Sequence, residues 1–273
     1  MTWSAERRYL LGNVRGIRSI ALAAAAVVVI NVIAALWWTS EHSVREFVLG
    51  KRDRIAAAAN AQGIDPRLLA SVLYVAQRDT VSVLSMSLEQ LVMGAWLSDP
   101  KNDVNLAGPL DLSIGLTQIK PSTTLQAMDV YLSTATPAKG WGSEKELRPL
   151  PPLGPEWALP KVNASRLESP FPRHPTKPEV VAMLFTDDGS LSIAAFILAL
   201  YETQWRSADP AWDIARKPEI TATLYQIGFA RSHPHADPRA NEFGEAVGRV
   251  YRSPWMQEHF GTATDAQPSR ASE

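Results

Sequence analysis

The most apolar stretch of the chain lies near its beginning. Residues 20–38 read IALAAAAVVVINVIAALWW, and Asn31 is their only strongly polar side chain. A helix of this length rises about 28 Å, close to the ~30 Å thickness of the hydrocarbon layer of a membrane. We therefore predict that residues 20–38 form one transmembrane helix within the lipid bilayer.

The charges around this segment predict its orientation. Four arginines and a single acid, Glu6, precede it, so residues 1–40 carry a net charge of +3 and the remaining residues −4, which together give the total of −1. Because basic residues stay on the cytoplasmic side, residues 1–19 are predicted to be a cytoplasmic N-terminus. The expected location is a bacterial inner membrane, with a single span and a periplasmic or extracytoplasmic functional domain. A cleaved signal peptide is the alternative, although the apolar run is long for one.

After a polar connector at residues 39–53, apolar positions recur at helical spacing. Residues 54–62 are rich in alanine and stop before Gly63, where a helix C-cap is expected. Asp65 and Pro66 are a typical N-cap and first-turn residue for the next helix. One face of that helix carries Leu68, Leu69, Val72, Leu73 and Ala76. Position 76 is therefore expected to face the core or the wall of a cleft.

The rest of the chain adds helices and one irregular region. Helices are predicted around residues 87–97, 190–205, 218–225 and 241–252, and the helix at 190–205 is expected to be central and buried. Residues 111–123 are predicted to form a turn followed by the start of a short helix. Ten of the twenty prolines fall within residues 137–178, which favours an ordered, mostly non-helical excursion. Its apolar residues available for burial are Trp141, Trp157, Leu159 and Phe171. A flexible linker is the alternative there. The fold class is thus mainly α, with a domain over residues 54–260 and a flexible tail at 261–273.

Composition narrows the classes of function. The absence of Cys excludes disulfide scaffolds, thiolate catalysis and Cys-based metal sites. A net charge of −1 and a pI near 6.5 argue against nucleic acid as a partner. His233 and His235 are a weak metal pair because Pro234 between them indicates a turn. We therefore expect no metal and no cofactor.

Three segments together resemble a known family. Residues 63–79, GIDPRLLASVLYVAQRD, are similar to the helix that ends in the catalytic glutamate of soluble-lytic-transglycosylase-type domains, within the lysozyme-like superfamily. Residues 113–123, SIGLTQIKPST, and residues 222–228, ATLYQIG, are similar to the segments that line and close the cleft of that family. The order and separation of the segments agree across roughly residues 54–252. The resemblance implies a lysozyme-like helical domain that cleaves the glycan strands of peptidoglycan.

The sequence departs from the family at the catalytic position. Ala76 stands where the family has the glutamate that protonates the glycosidic oxygen between N-acetylmuramic acid and N-acetylglucosamine. A general acid contributes ~10²–10⁴-fold to the rate, so the chain is expected to be nearly inactive by that route. An inactivating substitution in an otherwise intact cleft is the favoured interpretation. The alternatives are a natural, non-catalytic glycan-binding or scaffolding domain and an acid supplied from elsewhere, such as Glu89 or Asp111.

The resemblance also implies which residues contact glycan. These are Ser113, Gly115, Gln118, Tyr225 and Gln226, the last standing where the family usually has Asn. A backbone turn for Gly115 and core packing for Tyr225 remain open alternatives. Lytic transglycosylases form a 1,6-anhydro ring without a second carboxylate, whereas a muramidase commonly uses a second acid to activate water. Asp111 is the candidate for that acid, or else a cap of a loop or helix. A toxic cell-wall enzyme would also need an inhibitor or immunity protein as a partner.

Overall fold

The computed structural model describes residues 40–80, 113–135 and 167–261, and this part of the chain contains nine α-helices and no strand. The helices are α1 (Glu41–Leu49), α2 (Arg52–Gln62), α3 (Pro66–Val75), α4 (Pro121–Ala135), α5 (Lys177–Leu184), α6 (Asp187–Ala208), α7 (Pro218–Ile227), α8 (Glu242–Tyr251) and α9 (Pro254–Phe260). Within these residues the prediction of a mainly α fold is confirmed.

Helix α6 is the centre of the fold. The hydroxyl of Thr186 caps its first turn by accepting a hydrogen bond from the N–H of Gly189 at 3.1 Å. The side chains of Ile193 to Tyr201 are buried on every face because α2, α3, α4, α5 and α7 all pack around the helix. A helix that is apolar all round belongs in a core, as the sequence predicted for residues 190–205.

Helices α2 and α3 form a short hairpin whose turn is encoded locally. Gly63 adopts a left-handed conformation with φ of 68° and ends α2. Asp65 then caps α3 by accepting a hydrogen bond from the N–H of Arg67 at 2.9 Å, and Pro66 occupies the first turn. Both the boundary and the caps agree with the sequence prediction.

Residues 39–53, interpreted above as a connector, are largely helical in the described part. Ser40 caps α1 by accepting a hydrogen bond from the N–H of Ser43 at 3.3 Å. Val44 and Val48, one turn apart, are buried, and α1 packs on α3. Phe47 and Leu49 also pack against the core, so helix packing begins before residue 54, where the domain was predicted to start.

The described end of the proline-rich region begins at residue 167 and is irregular. Between residues 167 and 176 the chain has no helix, and Leu167 and Phe171 are buried. Thr176 and Glu179 then form a capping box that begins α5, with Pro178 in its first turn. Helices α1, α5 and α9 and most of α4 were not predicted from the sequence.

The last helices surround α3. Helix α8 packs against both α7 and α3, and α9 also lies on α3. The hydroxyl of Tyr251, at the end of α8, donates a hydrogen bond to Asp65 Oδ2 at 2.6 Å. The N-terminal end of α3 is therefore tied to the C-terminal end of α8.

Several predictions fall outside the described residues. They are the cytoplasmic segment 1–19, the transmembrane segment 20–38, the helix at 87–97, residues 137–166 of the excursion and the tail beyond residue 261. Among the residues that are described, no single helix has the length and hydropathy to cross a membrane. Helices α5 and α6 satisfy those criteria only as a pair, and they are bent by 111° relative to each other.

Candidate functional site

The candidate site is centred on the C-terminal end of α3. This helix is buried from Leu68 to Val75, and Ala76 directly after it is only 2% exposed. Ala76 also begins a five-residue π-helical turn that runs to Thr80. Short π-helical turns are frequent at functional sites because the wider turn redirects the side chains at the end of a helix.

The loop of residues 113–119 forms the second part of the site. Ile114 and Ile119 exchange two backbone hydrogen bonds of 3.0 and 3.2 Å, and both side chains are buried. Two residues between them have positive φ, Gly115 at 76° and Gln118 at 54°. A positive φ in a residue other than glycine costs about 1–3 kcal/mol and is often found at functional sites.

The loop is fixed to the beginning of α6 by polar contacts. The N–H of Thr117 donates to the Oγ of Ser190 at 3.1 Å, and the two hydroxyls lie 2.8 Å apart. Both side chains are fully buried. A Cβ atom on Gly115 would lie 2.1 Å from the carbonyl oxygen of Leu184, so only glycine fits at this position. Gly115 therefore has a backbone role in this turn, while its contact with glycan stays a prediction.

Two further hydrogen bonds join the three segments that resemble the family. Gln77, next to Ala76, donates from Nε2 to the carbonyl oxygen of Leu116 at 2.7 Å. The hydroxyl of Tyr225 on α7 donates to the carbonyl oxygen of Thr117 at 2.9 Å. Hydrogen bonds therefore link residues 76–77, 113–119 and 225 into one largely buried cluster.

The predicted glycan-contacting residues have different environments. Ser113 and Gln118 are half-buried, and Gln118 Nε2 donates to the carbonyl oxygen of Gly115 at 3.0 Å. Burial raises the pKa of Tyr225, whose hydroxyl holds the loop, so core packing describes at least part of its role. Gln226 is exposed, and its Oε1 accepts a hydrogen bond from Asn241 Nδ2 at 2.7 Å.

Residues 76–78, 113–119 and 225–227 contain no acid, and the first acid after Ala76 in the sequence is Asp79. Asp111 and Glu89, the candidates for a displaced acid, lie outside the described residues, so their role stays a prediction. What the described residues offer here are amide and hydroxyl groups and the exposed guanidinium of Arg78. Such groups can hold a sugar by hydrogen bonds but cannot protonate a glycosidic oxygen.

One buried carboxyl in the described part lies elsewhere, on α6. Glu202 is 8% exposed, and burial raises its pKa to about 7. The positive charge of Arg206 lowers this pKa, whereas the negative charges of Asp213 and Asp65 raise it further. Burial would also raise the pKa of Asp65, but the hydrogen bonds from Arg67 and Tyr251 lower it below its usual range. The sequence pattern gave no sign of Glu202, which stands among apolar residues of a core helix.

No group of three or more histidines and acids in the described ranges has the geometry to bind a metal ion. His235 lies in an irregular segment, and its ring packs against Trp205 with 5.4 Å between ring centroids.

Three residues that shape the site were not predicted from the sequence. Gln77, Thr117 and Ser190 are polar, buried and hydrogen-bonded to one another's segments. In the sequence, Gln77 was used only to align residues 63–79 with the family segment around Ala76. A polar residue at the end of an apolar helical face is the one local signal that could have indicated it.

No protein-family model matches the chain, and no curated protein or solved structure is significantly similar to it.

Proposed function

We propose that this chain is a peptidoglycan-acting domain of the lysozyme-like, lytic-transglycosylase type in which Ala76 replaces the general acid. The observation that carries the proposal is that hydrogen bonds link the three family-like segments next to Ala76. Gln77 binds the loop from one side and Tyr225 from the other, with hydrogen bonds of 2.7 and 2.9 Å. These segments are 39 and 108 residues apart in the sequence at the two contacts, so their proximity is a property of the fold.

The chemistry follows from what stands at position 76. A glutamate there would follow the buried residue Val75, in surroundings that disfavour the charged form and keep the carboxyl protonated. Such an acid could give its proton to the oxygen between N-acetylmuramic acid and N-acetylglucosamine. Alanine has no proton to give, so we expect the chain to bind glycan strands and to cleave them very slowly.

Restoring the acid is the experiment that tests this function. We expect Ala76→Glu to release muropeptides from purified peptidoglycan ~10²–10⁴ times faster than the chain as it stands. Ala76→Gln is the matched control, because it has nearly the same size and no acidic proton. Mass spectrometry of the products separates 1,6-anhydro ends, made by a transglycosylase, from reducing ends, made by a muramidase. Equal rates for all three proteins would contradict the enzyme proposal.

A non-catalytic glycan-binding or scaffolding domain is the second candidate. Two observations favour it. Position 76 carries alanine instead of an acid, and Gln226, which stands where the family usually has Asn, accepts a hydrogen bond from Asn241 at 2.7 Å. Binding of glycan strands by both the chain and Ala76→Glu, with cleavage by neither, would favour this function.

The proposed setting is the outer face of a bacterial inner membrane, with residues 20–38 as the anchor. The support is the apolar run and the arginines before it. Protease added to intact spheroplasts should then digest the domain but leave a membrane-bound fragment. A released, shortened protein would instead indicate a cleaved signal peptide.

A further inference from the structure

A cavity of about 400 Å³ lies where α1, α8 and α9 meet the C-terminal end of α3. Its size is in the range of sites that hold small ligands. The side chains that give it its character are Glu41, Arg45, Tyr74, Arg78, Arg249 and Trp255. Three guanidinium groups against one carboxylate make the cavity wall basic in a chain of net charge −1.

The guanidinium groups are only partly engaged by the protein. Arg45 Nη2 donates to Glu41 Oε1 at 2.5 Å, and Arg249 lies 3.9 Å from Glu245 in an exposed pair. Arg78 is exposed and has no acidic partner within the described residues. Exposed ion pairs contribute little stability, so an incoming anion can compete for these cations.

The aromatic side chains add an apolar wall. The rings of Tyr74 and Trp255 lie 5.9 Å apart, and the guanidinium of Arg45 lies 5.4 Å above the ring of Trp255. This contact holds one face of the guanidinium against the ring. A planar, bidentate donor beside an apolar wall is suited to a carboxylate on a small apolar group. The Glu41 carboxylate in the wall repels a phosphate dianion more strongly than a singly charged carboxylate.

Two residues that line the cavity flank the proposed catalytic position in the sequence. Val75 and Arg78, which line it, are the residues immediately before and two after Ala76. Glycan strands of peptidoglycan carry short peptides with free carboxylates beside each N-acetylmuramic acid. We propose that this cavity binds a carboxylate of that peptide while the glycan lies at Ala76. The inference rests on the proposed function for the source of the ligand.

The test measures binding of a peptide to the full-length chain in detergent micelles. The probe is the peptide L-alanyl-γ-D-glutamyl-L-lysyl-D-alanyl-D-alanine, and its fully amidated form is the matched ligand. We expect the free acid to bind at least ten times more tightly than the amide, because a charge-assisted hydrogen bond is lost with each amidated carboxyl. Arg78→Gln should weaken binding of the free acid by a similar factor. Arg239→Gln, which removes an 88% exposed guanidinium outside the cavity, should leave binding unchanged.

Three results would overturn the inference. One is equal binding of the free and amidated peptides, and another is a loss of binding that is the same for Arg78→Gln and Arg239→Gln. The third is retention on phosphatidylglycerol vesicles that depends on Arg78 without any binding of the peptide, which would assign the cavity to a lipid headgroup. The unfolding temperatures of Arg78→Gln and Arg239→Gln show whether either variant has lost its fold. If Arg78→Gln has, Arg249→Gln removes a different positive charge from the cavity and should weaken binding of the free acid in the same way.

The same preparations separate this inference from the proposed function. Peptide-free glycan strands report on the surface around Ala76, and the peptide alone reports on the cavity. Binding of the peptide with no binding or cleavage of glycan by Ala76→Glu would support the cavity and contradict the proposed function. Cleavage by Ala76→Glu without Arg78-dependent peptide binding would support the proposed function and overturn the cavity.

Discussion

The two ends of α3 organise polar groups in opposite ways. At the C-terminal end, Ala76 has no polar side chain, and the neighbouring Gln77 is used to hold a loop. At the N-terminal end, the carboxylate of Asp65 accepts hydrogen bonds from both Arg67 and Tyr251, each at 2.6 Å. One end therefore has an alanine where the family resemblance expects an acid, and the other has an acid that is fully engaged in structure.

Glu202 on α6 is a buried acid that lies away from the candidate site. Its pKa of about 7 is suited to a general acid, since the ideal catalytic pKa lies near the working pH. Yet Glu202 lies twelve residues beyond Ser190, the residue of α6 that contacts the loop, which is about 18 Å along the helix at ~1.5 Å per residue. A raised pKa alone does not make a catalytic residue, because the acid must also reach the bond that breaks.

The largest expected effect concerns the loop at the C-terminal end of α3. Gly115→Ala should lower the free energy of unfolding by about 4 kcal/mol, because the new Cβ would meet Leu184 at 2.1 Å and φ is positive. Gly63→Ala is the matched control, since Gly63 has a similar φ of 68° and no atom within 4 Å of an added Cβ. It should cost about 1 kcal/mol. Urea unfolding measures both, and equal losses would mean that the loop is not held tightly against α5.

The next effect tests the buried acid. The folded chain keeps a proton on Glu202 that the unfolded chain releases above its usual pKa of 4.5. Stability should therefore fall by about 3 kcal/mol as the pH rises from about 4 to about 8. Glu202→Gln should remove most of that decline and be more stable than the parent at the higher pH.

Urea unfolding across this pH range checks the prediction for Glu202. Glu258→Gln, which removes an exposed carboxyl, is the control and should keep the decline. A parent chain whose stability is flat over this range would mean that Glu202 is solvated, and α6 would then offer no buried acid to compare with the acid that is absent at position 76.

The sequence anticipated those parts of the fold that are encoded locally. The caps at Gly63 and Asp65 and the continuous apolar run in α6 each lie within a few residues of the structure they determine. Helix α1 was not predicted because it is only nine residues long, although Val44, Phe47 and Val48 have helical spacing. Short helices of this kind are stabilised by what they pack on, which the local pattern does not contain.

The site could be anticipated only in outline. The resemblance grouped residues 63–79, 113–123 and 222–228, and one hydrogen bond joins the second of these segments to each of the other two. The bond from Thr117 to Ser190 spans 73 residues, and neither side chain has a pattern that announces the other. The basic cavity was also invisible, because its arginines come from α1, the turn after α3, and α8. Long-range pairing of polar groups requires the fold itself.

Two tyrosines allow the ends of α3 to be compared directly. Tyr251→Phe removes a hydrogen bond to the charged Asp65 and should cost about 2 kcal/mol, since bonds to charged groups are the stronger ones. Its loss should also raise the pKa of Asp65 towards the usual range, because one of the groups that lower it is gone. Urea unfolding measures the first effect, and NMR titration of the Asp65 carboxyl measures the second.

Tyr225→Phe is the matched change at the C-terminal end and has the smallest expected effect on stability. It removes a hydrogen bond between neutral groups, from the hydroxyl to the carbonyl oxygen of Thr117, and should cost about 1 kcal/mol. Because that bond positions the loop, glycan binding should weaken in Tyr225→Phe and stay unchanged in Tyr251→Phe. If the two variants lost equal stability and bound glycan equally well, the ends of α3 would not differ in function. The loop would then be a structural element alone, since its positioning hydroxyl would serve only packing.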